Sequence, residues 1–410
     1  MNSEASFIHS RNIYAERIRP FIGKPVVKIL TGMRRAGKSC LLKLLMVDLL
    51  EREKVPATNI LYIDKESLEF EDIVTYRDLD RIARPLLGKK GGRKYLLIDE
   101  VQEIGQWERA VAPLSARADL DIILTGSNAH LFSSELATLL TGRYLEFPVY
   151  TLGFTEFLAF HSAAVADRRE AFRLYLRYGG LPGLHHFPLR DETALPYSRS
   201  VFDSILLKDV VRRHAVRNVP LLESLGRFIM DNIGSVISAK RIADHLKAQR
   251  LTVSVETVQH YLGHFCEALL AYRVPRYDLK GRRLLEIHEK YYLGDLGLRH
   301  AVLGYREADI SGILENVVFL ELKRRGYEVC IGKLQNAEVD FVATRVGDKL
   351  YIQVAYLLAS PATVAREFGP LKAIKDHYPK LVLSLDPAWG SDLDGIRRLD
   401  LMEFLLAENA

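Results

Sequence analysis

The chain has 410 residues, 48% of them hydrophobic and 27% charged, with a formal net charge of +5. This composition reads as a soluble globular protein with core enough for two or three domains, and it excludes a membrane-spanning chain because no apolar run is long enough. Cys40, Cys266 and Cys330 have no paired spacing, and no basic-then-apolar leader opens the chain; a reducing cytosol is therefore expected and disulfides or a zinc site are not, while so mild a charge permits a nucleic-acid partner without requiring one.

The first element is an apolar run, Val26-Val27-Lys28-Ile29-Leu30, which reads as a strand. It leads into Gly32-Met33-Arg34-Arg35-Ala36-Gly37-Lys38-Ser39, a full G-x-x-x-x-G-K-[ST] loop, and Cys40-Leu41-Leu42-Lys43-Leu44-Leu45 continues as a helix. Strand, glycine loop and helix are the context in which this motif binds phosphate. The glycines let backbone N–H groups turn towards a β-phosphate, and the helix adds the positive end of its dipole. Lys38 is expected to reach the β- and γ-phosphates of ATP and Ser39 to hold Mg2+. The expected nucleotide contacts are Gly32, Arg34, Arg35, Ala36, Gly37, Lys38, Ser39 and Cys40.

Tyr95-Leu96-Leu97-Ile98-Asp99-Glu100 follows, four apolar residues running into two acids. A buried parallel strand that ends at an active site has this pattern. Asp99 is expected on the magnesium ion and Glu100 as the general base for the attacking water. The strand Asp121 to Asn128 ends in small polar residues, so Ser127 or Asn128 is placed to touch the γ-phosphate or the water. Residues 134–140 read as a helix that ends in Thr141-Gly142-Arg143. In this series the chain resembles the AAA+ superfamily. That resemblance implies a polar sensor at Asn128 or Ser127. It also implies a catalytic arginine finger at Arg143, acting across a subunit boundary in a homo-oligomer.

Gly179-Gly180-Leu181-Pro182 extends the series. With it the first half of the chain looks like prokaryotic AAA+ ATPases that carry a restriction-endonuclease-like C-terminal domain. Gly180-Leu181-Pro182 is similar to a motif that signal-transducing (STAND-type) ATPases set beside the nucleotide base, which makes Pro182 a further expected contact.

From residue 154 the spacing turns helical, with helices expected over 154–160, 169–178 and 193–216. Residues 219–300 read as a winged helix. Helices are expected over 221–233, 237–246 and 254–262, the last two opening on Ser N-caps. A hairpin of 271–277 and 283–287 turns at Lys280-Gly281-Arg282. This layout suits a DNA backbone contact. His260 and His264 lie one helical turn apart, and no acid or cysteine at zinc spacing completes a site.

The last elements are an amphipathic helix over 313–322 and strands over 327–332, 338–343 and 350–356. They resemble a PD-(D/E)xK nuclease core, with Glu315, Asp340 and Gln353 at its first three positions. Such a core holds Mg2+ on its acids and has a lysine near the attacking water. Here Gln353 replaces an acid and Ala355 stands where the lysine should be; Lys349 is too far along the strand, and Lys323 is the first candidate for a migrated lysine. The domain therefore reads as a degenerate nuclease fold without robust cleavage.

The expected fold is α/β. It comprises a P-loop AAA+-type parallel-sheet core at 1–153, a helical lid and linker at 154–218, a winged helix at 219–300 and a nuclease-like domain at 301–410. The expected function is an ATP-driven switch in the cytoplasm that hydrolyses ATP to ADP and phosphate with Mg2+. Two other readings compete: an ATP-regulated DNA nuclease, and a DNA-binding regulator whose ATP site sets assembly.

Overall fold

The computed structural model describes residues 11–88, 91–129, 139–140, 142–251, 253–281, 283–334, 337–386 and 392–407. They form two compact units, Met1–Val149 and Tyr150–Ala410. Among the described residues no helix is long and apolar enough to cross a membrane.

The first unit is built on five parallel strands: β1 (Val27–Thr31), β2 (Ile60–Asp64), β3 (Lys94–Asp99), β4 (Leu120–Gly126) and β5 (Tyr144–Pro148), in the order β2-β3-β4-β1-β5. Both faces of the sheet are covered, so the central strands are apolar throughout. Ile29, Ile98 and Leu124 pack on one side with Leu79, Ala83 and Val111. Leu30, Leu97 and Ile123 pack on the other with Tyr14, Leu41 and Leu45. The alternation follows from the two-residue repeat of a strand. Lys28 and Asp121 interrupt the apolar runs of β1 and β4, and they are ion-paired with their side chains fully buried. Register aligns the strand ends: Thr31 lies opposite Gly126 and Asp64 opposite Asp99. The chain segments that leave β1, β3 and β4 therefore emerge along one edge of the sheet.

Of the helix expected over 134–140, only Leu139 and Leu140 lie within the described residues, and both are helical; Thr141 lies outside them.

The second unit begins with the helices Phe154–Phe160, Arg168–Tyr178 and Asp191–Ser204. The last runs on as a π-helical stretch, Ile205–Arg212. Gly179 and Gly180 are fixed by close packing. A Cβ on Gly179 would lie 2.1 Å from an Asp295 carboxylate oxygen, and one on Gly180 would lie 2.4 Å from the Leu152 carbonyl oxygen. Pro182 opens the short 3-10 helix Pro182–His186. The helices Val219–Asp231, Ala239–Ala248 and Val255–Glu267 follow, and the Ser238 and Ser254 hydroxyls cap the last two as the sequence suggests.

Eight strands make the second sheet: β6 (Ala271–Asp278), β7 (Arg283–Leu293), β8 (Glu328–Leu334), β9 (Ala337–Arg345), β10 (Asp348–Ala355), β11 (Lys380–Ser384), β12 (Asp392–Leu393) and β13 (Ile396–Asp400). Their order is β12-β13-β11-β10-β9-β8-β6-β7. The hairpin β6–β7, read from sequence as part of a winged helix, pairs through β6 with β8. One continuous sheet thus spans the hairpin and the strands read as nuclease-like. Arg282, at the hairpin tip, lies outside the described residues.

Candidate functional site

The loop after β1 is shaped by two glycines. Gly32 passes so close to Val149 that a Cβ would sit 2.2 Å from its carbonyl oxygen. Gly37 has φ +97° and caps the helix Lys38–Glu51, a conformation that costs glycine little. Arg35 also has a positive φ of 66° and is exposed, whereas Ala36 is buried. Arg11, the residue before the helix Asn12–Ile18, donates a hydrogen bond of 2.7 Å to the Ala36 carbonyl, so a buried guanidinium braces the loop. Cys40 is exposed, one residue into the helix beyond Ser39. Arg34 pairs with Glu66 at 3.0 Å.

Lys38, Ser39, Asp99 and Glu100 converge. The buried Lys38 ammonium lies 3.2 Å from the Met33 carbonyl and 3.5 Å from Glu100 Oε1. Asp99 is hydrogen-bonded to the Ser39 and Thr125 hydroxyls; burial pushes its carboxyl above the usual range, and those two hydrogen bonds oppose the rise. Burial also works to raise Glu100. Lys38, Gln102, Arg34 and Ser127 outweigh it and hold Glu100 below the ordinary glutamate value. Glu100 stays ionised beside a metal-ligand type carboxylate, which suits an acceptor of protons from water.

Three residues in this arrangement were not singled out from the sequence. The Thr125 hydroxyl accepts from the Glu100 N–H at 2.9 Å and donates to Asp99, so a single side chain orients both acids. Gln102 donates to the Glu100 carboxylate and to Ser127 Oγ at 3.3 Å. Arg11 is the third. Thr125 carries a usable signal, since it is the polar residue that follows the apolar run Ile122-Ile123-Leu124. Arg11 carries none, because only tertiary packing brings it in, whereas Gln102 stands two residues beyond Glu100 and reaches it locally.

Ser127 and Asn128 are buried beyond the end of β4, with Ser127 on the Gln102 side chain. Arg143 is elsewhere. Its carbonyl accepts from Val27 N, at the start of β1, and its side chain is exposed. The glycine loop leaves the other end of that strand, about 13 Å away at the rise of a strand residue. Arg143 therefore does not join the Lys38 cluster of its own chain. Pro182 belongs to the second unit.

A second cluster forms within that unit. Glu315 from the helix Ile310–Arg324, Asp340 from β9 and Gln353 from β10 line one cavity of about 310 Å³, with Ser311, Thr363 and Arg366. The Asp340 N–H donates to Gln353 Oε1 at 3.3 Å, and Asp340 Oδ2 accepts from Val354 N at 2.8 Å. Burial drives the Asp340 carboxyl well above its ordinary value, and the nearby Glu315 adds to the rise. Burial likewise raises Glu315, against the pull of Lys290.

Neither lysine weighed from sequence serves here. Lys323 does not line the cavity. Lys349 lies over the Tyr351 and Tyr378 rings, at 4.8 and 5.3 Å. The cation in the cluster is Lys290 of β7, whose Nζ lies 3.1 Å from Glu315 Oε2, 2.8 Å from Glu338 Oε1 and 3.9 Å from Asp340 Oδ1. Sequence reading missed it because it sits on a hairpin that seemed to belong to another domain.

His264 meets a carboxylate, although His260 is not in that group: His214, His264 and Glu267 have ligand-type atoms within 4.8 Å of one another. The two imidazoles are stacked, with centroids 3.8 Å apart and planes 16° apart. Near-parallel rings aim their nitrogen lone pairs side by side and not at one point 2.0–2.1 Å from both. The trio is a stacked pair resting on Glu267, 3.0 Å from His214 Nε2.

Comparison with known proteins agrees with the first unit. A family model described as an AAA domain matches residues 24–158. A domain of unknown function, DUF8612, matches residues 169–309, a span that includes both the helices and the hairpin β6–β7. An uncharacterized protein of Haemophilus influenzae is 35% identical over 401 residues, covering 97% of this chain and 98% of its own length. An uncharacterized protein of Methanocaldococcus jannaschii is 30% identical over 366 residues, covering 85% and 79%. Among solved structures, a Walker-type ATPase of Pyrococcus abyssi has a TM-score of 0.51 at 16% identity, over 72% of this chain and 96% of that one. At that identity the likeness is one of fold.

Proposed function

For this chain, which belongs to one family with the uncharacterized Haemophilus influenzae and Methanocaldococcus jannaschii proteins and carries an AAA domain, we propose that its first unit binds ATP, hydrolyses it to ADP and phosphate, and acts as an ATP-driven switch. The observation that carries this reading is the convergence of Lys38, Ser39, Asp99 and Glu100 at one sheet edge. Backbone N–H groups of residues 32–39 cradle the β-phosphate, and Lys38 turns from Glu100 to the terminal phosphates. Ser39 and Asp99 would hold Mg2+, which would supply charge neutralisation at the terminal phosphates. Thr125 keeps Asp99 and Glu100 oriented. Glu100 accepts the proton of the attacking water, with Gln102 fixing its other oxygen. Ser127 and Asn128 sense the γ-phosphate, and Arg143 serves the site of a neighbouring copy in a homo-oligomer. The chain works in the cytoplasm, a location that its three unpaired cysteines fit.

The test is ATP turnover and ATP·Mg2+ thermal shift, with and without DNA. Lys38→Ala is expected to abolish most of the shift. Glu100→Gln is expected to keep the shift and slow turnover by roughly 10²–10⁴-fold. A Glu100→Gln chain that turns over at the wild-type rate removes Glu100 from the role of base.

A second reading has its own support. The helices Ala239–Ala248 and Val255–Glu267 precede a hairpin, and Lys240, Arg241, Lys247, Arg250 and Lys280 are exposed around them. A DNA-binding regulator whose ATP site sets assembly fits that surface. Salt-dependent DNA retention with weak hydrolysis favours this reading over the switch.

A further inference from the structure

The resemblance to a PD-(D/E)xK core implies a divalent metal between Glu315 and Asp340. The residues present do not fit one, and we propose that the Lys290 ammonium permanently takes the place of that metal. The pocket is then a site neutralised from within, closed to divalent cations.

A small divalent cation needs carboxylate oxygens at 2.0–2.1 Å, with lone pairs turned towards it. Lys290 Nζ is already the common neighbour of three carboxylates, at 2.8 Å from Glu338, 3.1 Å from Glu315 and 3.9 Å from Asp340. Glu315 Oε2 accepts a second hydrogen bond, of 2.8 Å, from the Tyr292 hydroxyl. Lys290 and Tyr292 are two apart on β7, so the pleat presents both to the same carboxylate. Asp340 Oδ2 is held by Val354 N at 2.8 Å. One oxygen of each acid that would chelate a metal, Glu315 Oε2 and Asp340 Oδ2, is thus committed to fixed donors. The third position offers the Gln353 amide oxygen, which brings no charge, and it faces the Asp340 N–H.

Expelling the ammonium is not open either. The Lys290 side chain is 4% exposed, and its strand is paired with β6 at Val274. A metal in the pocket would sit beside a buried ammonium left with Glu338 as its remaining carboxylate partner, which is unfavourable for two cations. Glu367 faces Asp340 from the helix Pro361–Lys372, and Arg366 binds it at 2.7 Å. Arg276 lies 3.8 Å from Glu338. Every acid around the pocket has a protein cation or N–H donor, which is the opposite of a metal site awaiting its ion.

The test uses the full chain without nucleotide, carrying Asp99→Asn to silence the first unit's metal position, titrated with Mn2+ by calorimetry. The expected result is no saturable Mn2+ binding at millimolar metal. Adding Lys290→Met, which keeps the side chain's length and removes its charge, is expected to create one Mn2+ site per chain. Adding Asp340→Asn to that variant is expected to abolish the new site. One Mn2+ bound by the chain with Lys290 intact, and lost on Asp340→Asn, overturns the proposal; this arm decides even where Lys290→Met fails to fold. A folded Lys290→Met chain that gains no site overturns it as well.

Discussion

Glu100 has φ 54° and ψ 53°, a left-handed conformation for a residue with a side chain. Such backbones cost about 1–3 kcal/mol and persist where the surroundings enforce them. Here the Thr125 hydroxyl holds the Glu100 N–H at 2.9 Å. The conformation turns the chain sharply after β3, so that Asp99 and Glu100 face the same loop. At the other end of the sheet, Lys28 and Asp121 have a different task. Burial lowers the lysine and raises the aspartate, yet each has the other as counter-charge. Lys28→Met should strand Asp121 and cost about 3–5 kcal/mol in urea unfolding. Lys28→Met with Asp121→Leu should recover most of that, since two apolar groups leave no buried charge. A single variant as stable as the wild type would show that the pair contributes nothing.

At the scale of elements, the helix Leu296–Leu303 carries an opposed pair of titrations. Asp295 caps it and also accepts from Gly180 N at 2.7 Å. Burial lifts its carboxyl from 3.8 to about 6. The native chain therefore keeps a proton that the unfolded chain has lost, and stability falls as pH rises from about 4 to about 6. His300 donates its Nδ1–H to the Arg177 carbonyl at 2.8 Å, and burial pushes its pKa from 6.5 down to about 4. The unfolded chain takes up that proton first, so stability falls as pH drops from about 6.5 to about 4. The slopes cancel over a shared window. Urea unfolding of Asp295→Asn should show a loss of about 3 kcal/mol on acidification, and His300→Gln a comparable loss on alkalinisation. A flat profile in both variants would remove the pair from the pH response.

The same scale shows what could be read from the chain. The strands at 26–30, 95–100 and 121–128 were visible because burial on both faces makes them continuous apolar runs. The Ser238 and Ser254 caps marked helix starts. The cluster of Glu315, Asp340 and Gln353 was visible through spacing on a helix and two strands. Lys290 was not, because strand neighbours distant in sequence leave no local pattern. The pairing of β6 with β8 was hidden for the same reason: a parallel contact across an intervening strand and two helices has no turn signature.

For the molecule as a whole, the position of Arg143 is informative. It lies at the start of β5, an edge strand, with an exposed side chain. Under the proposed function, a guanidinium so placed would serve the site of another copy. Turnover per chain should then rise with protein concentration, and inactive Arg143→Ala and Glu100→Gln chains should partly rescue each other on mixing. Activity independent of concentration, with no rescue, would return Arg143 to a surface cation.

The continuity of the second sheet also governs how the protein can be dissected. A cut at residue 300 would sever β6–β7 from β8 and leave two raw hydrogen-bonding edges, each long enough to recruit a stranger's strand. Fragments 219–300 and 301–410 should therefore aggregate when expressed separately, as light scattering would register. Among the described residues, a cut at 149/150 parts no strand pair. Deletion analysis of this chain should be planned around that boundary, since a fragment ending at 300 would report on a damaged sheet and not on the role of the missing piece.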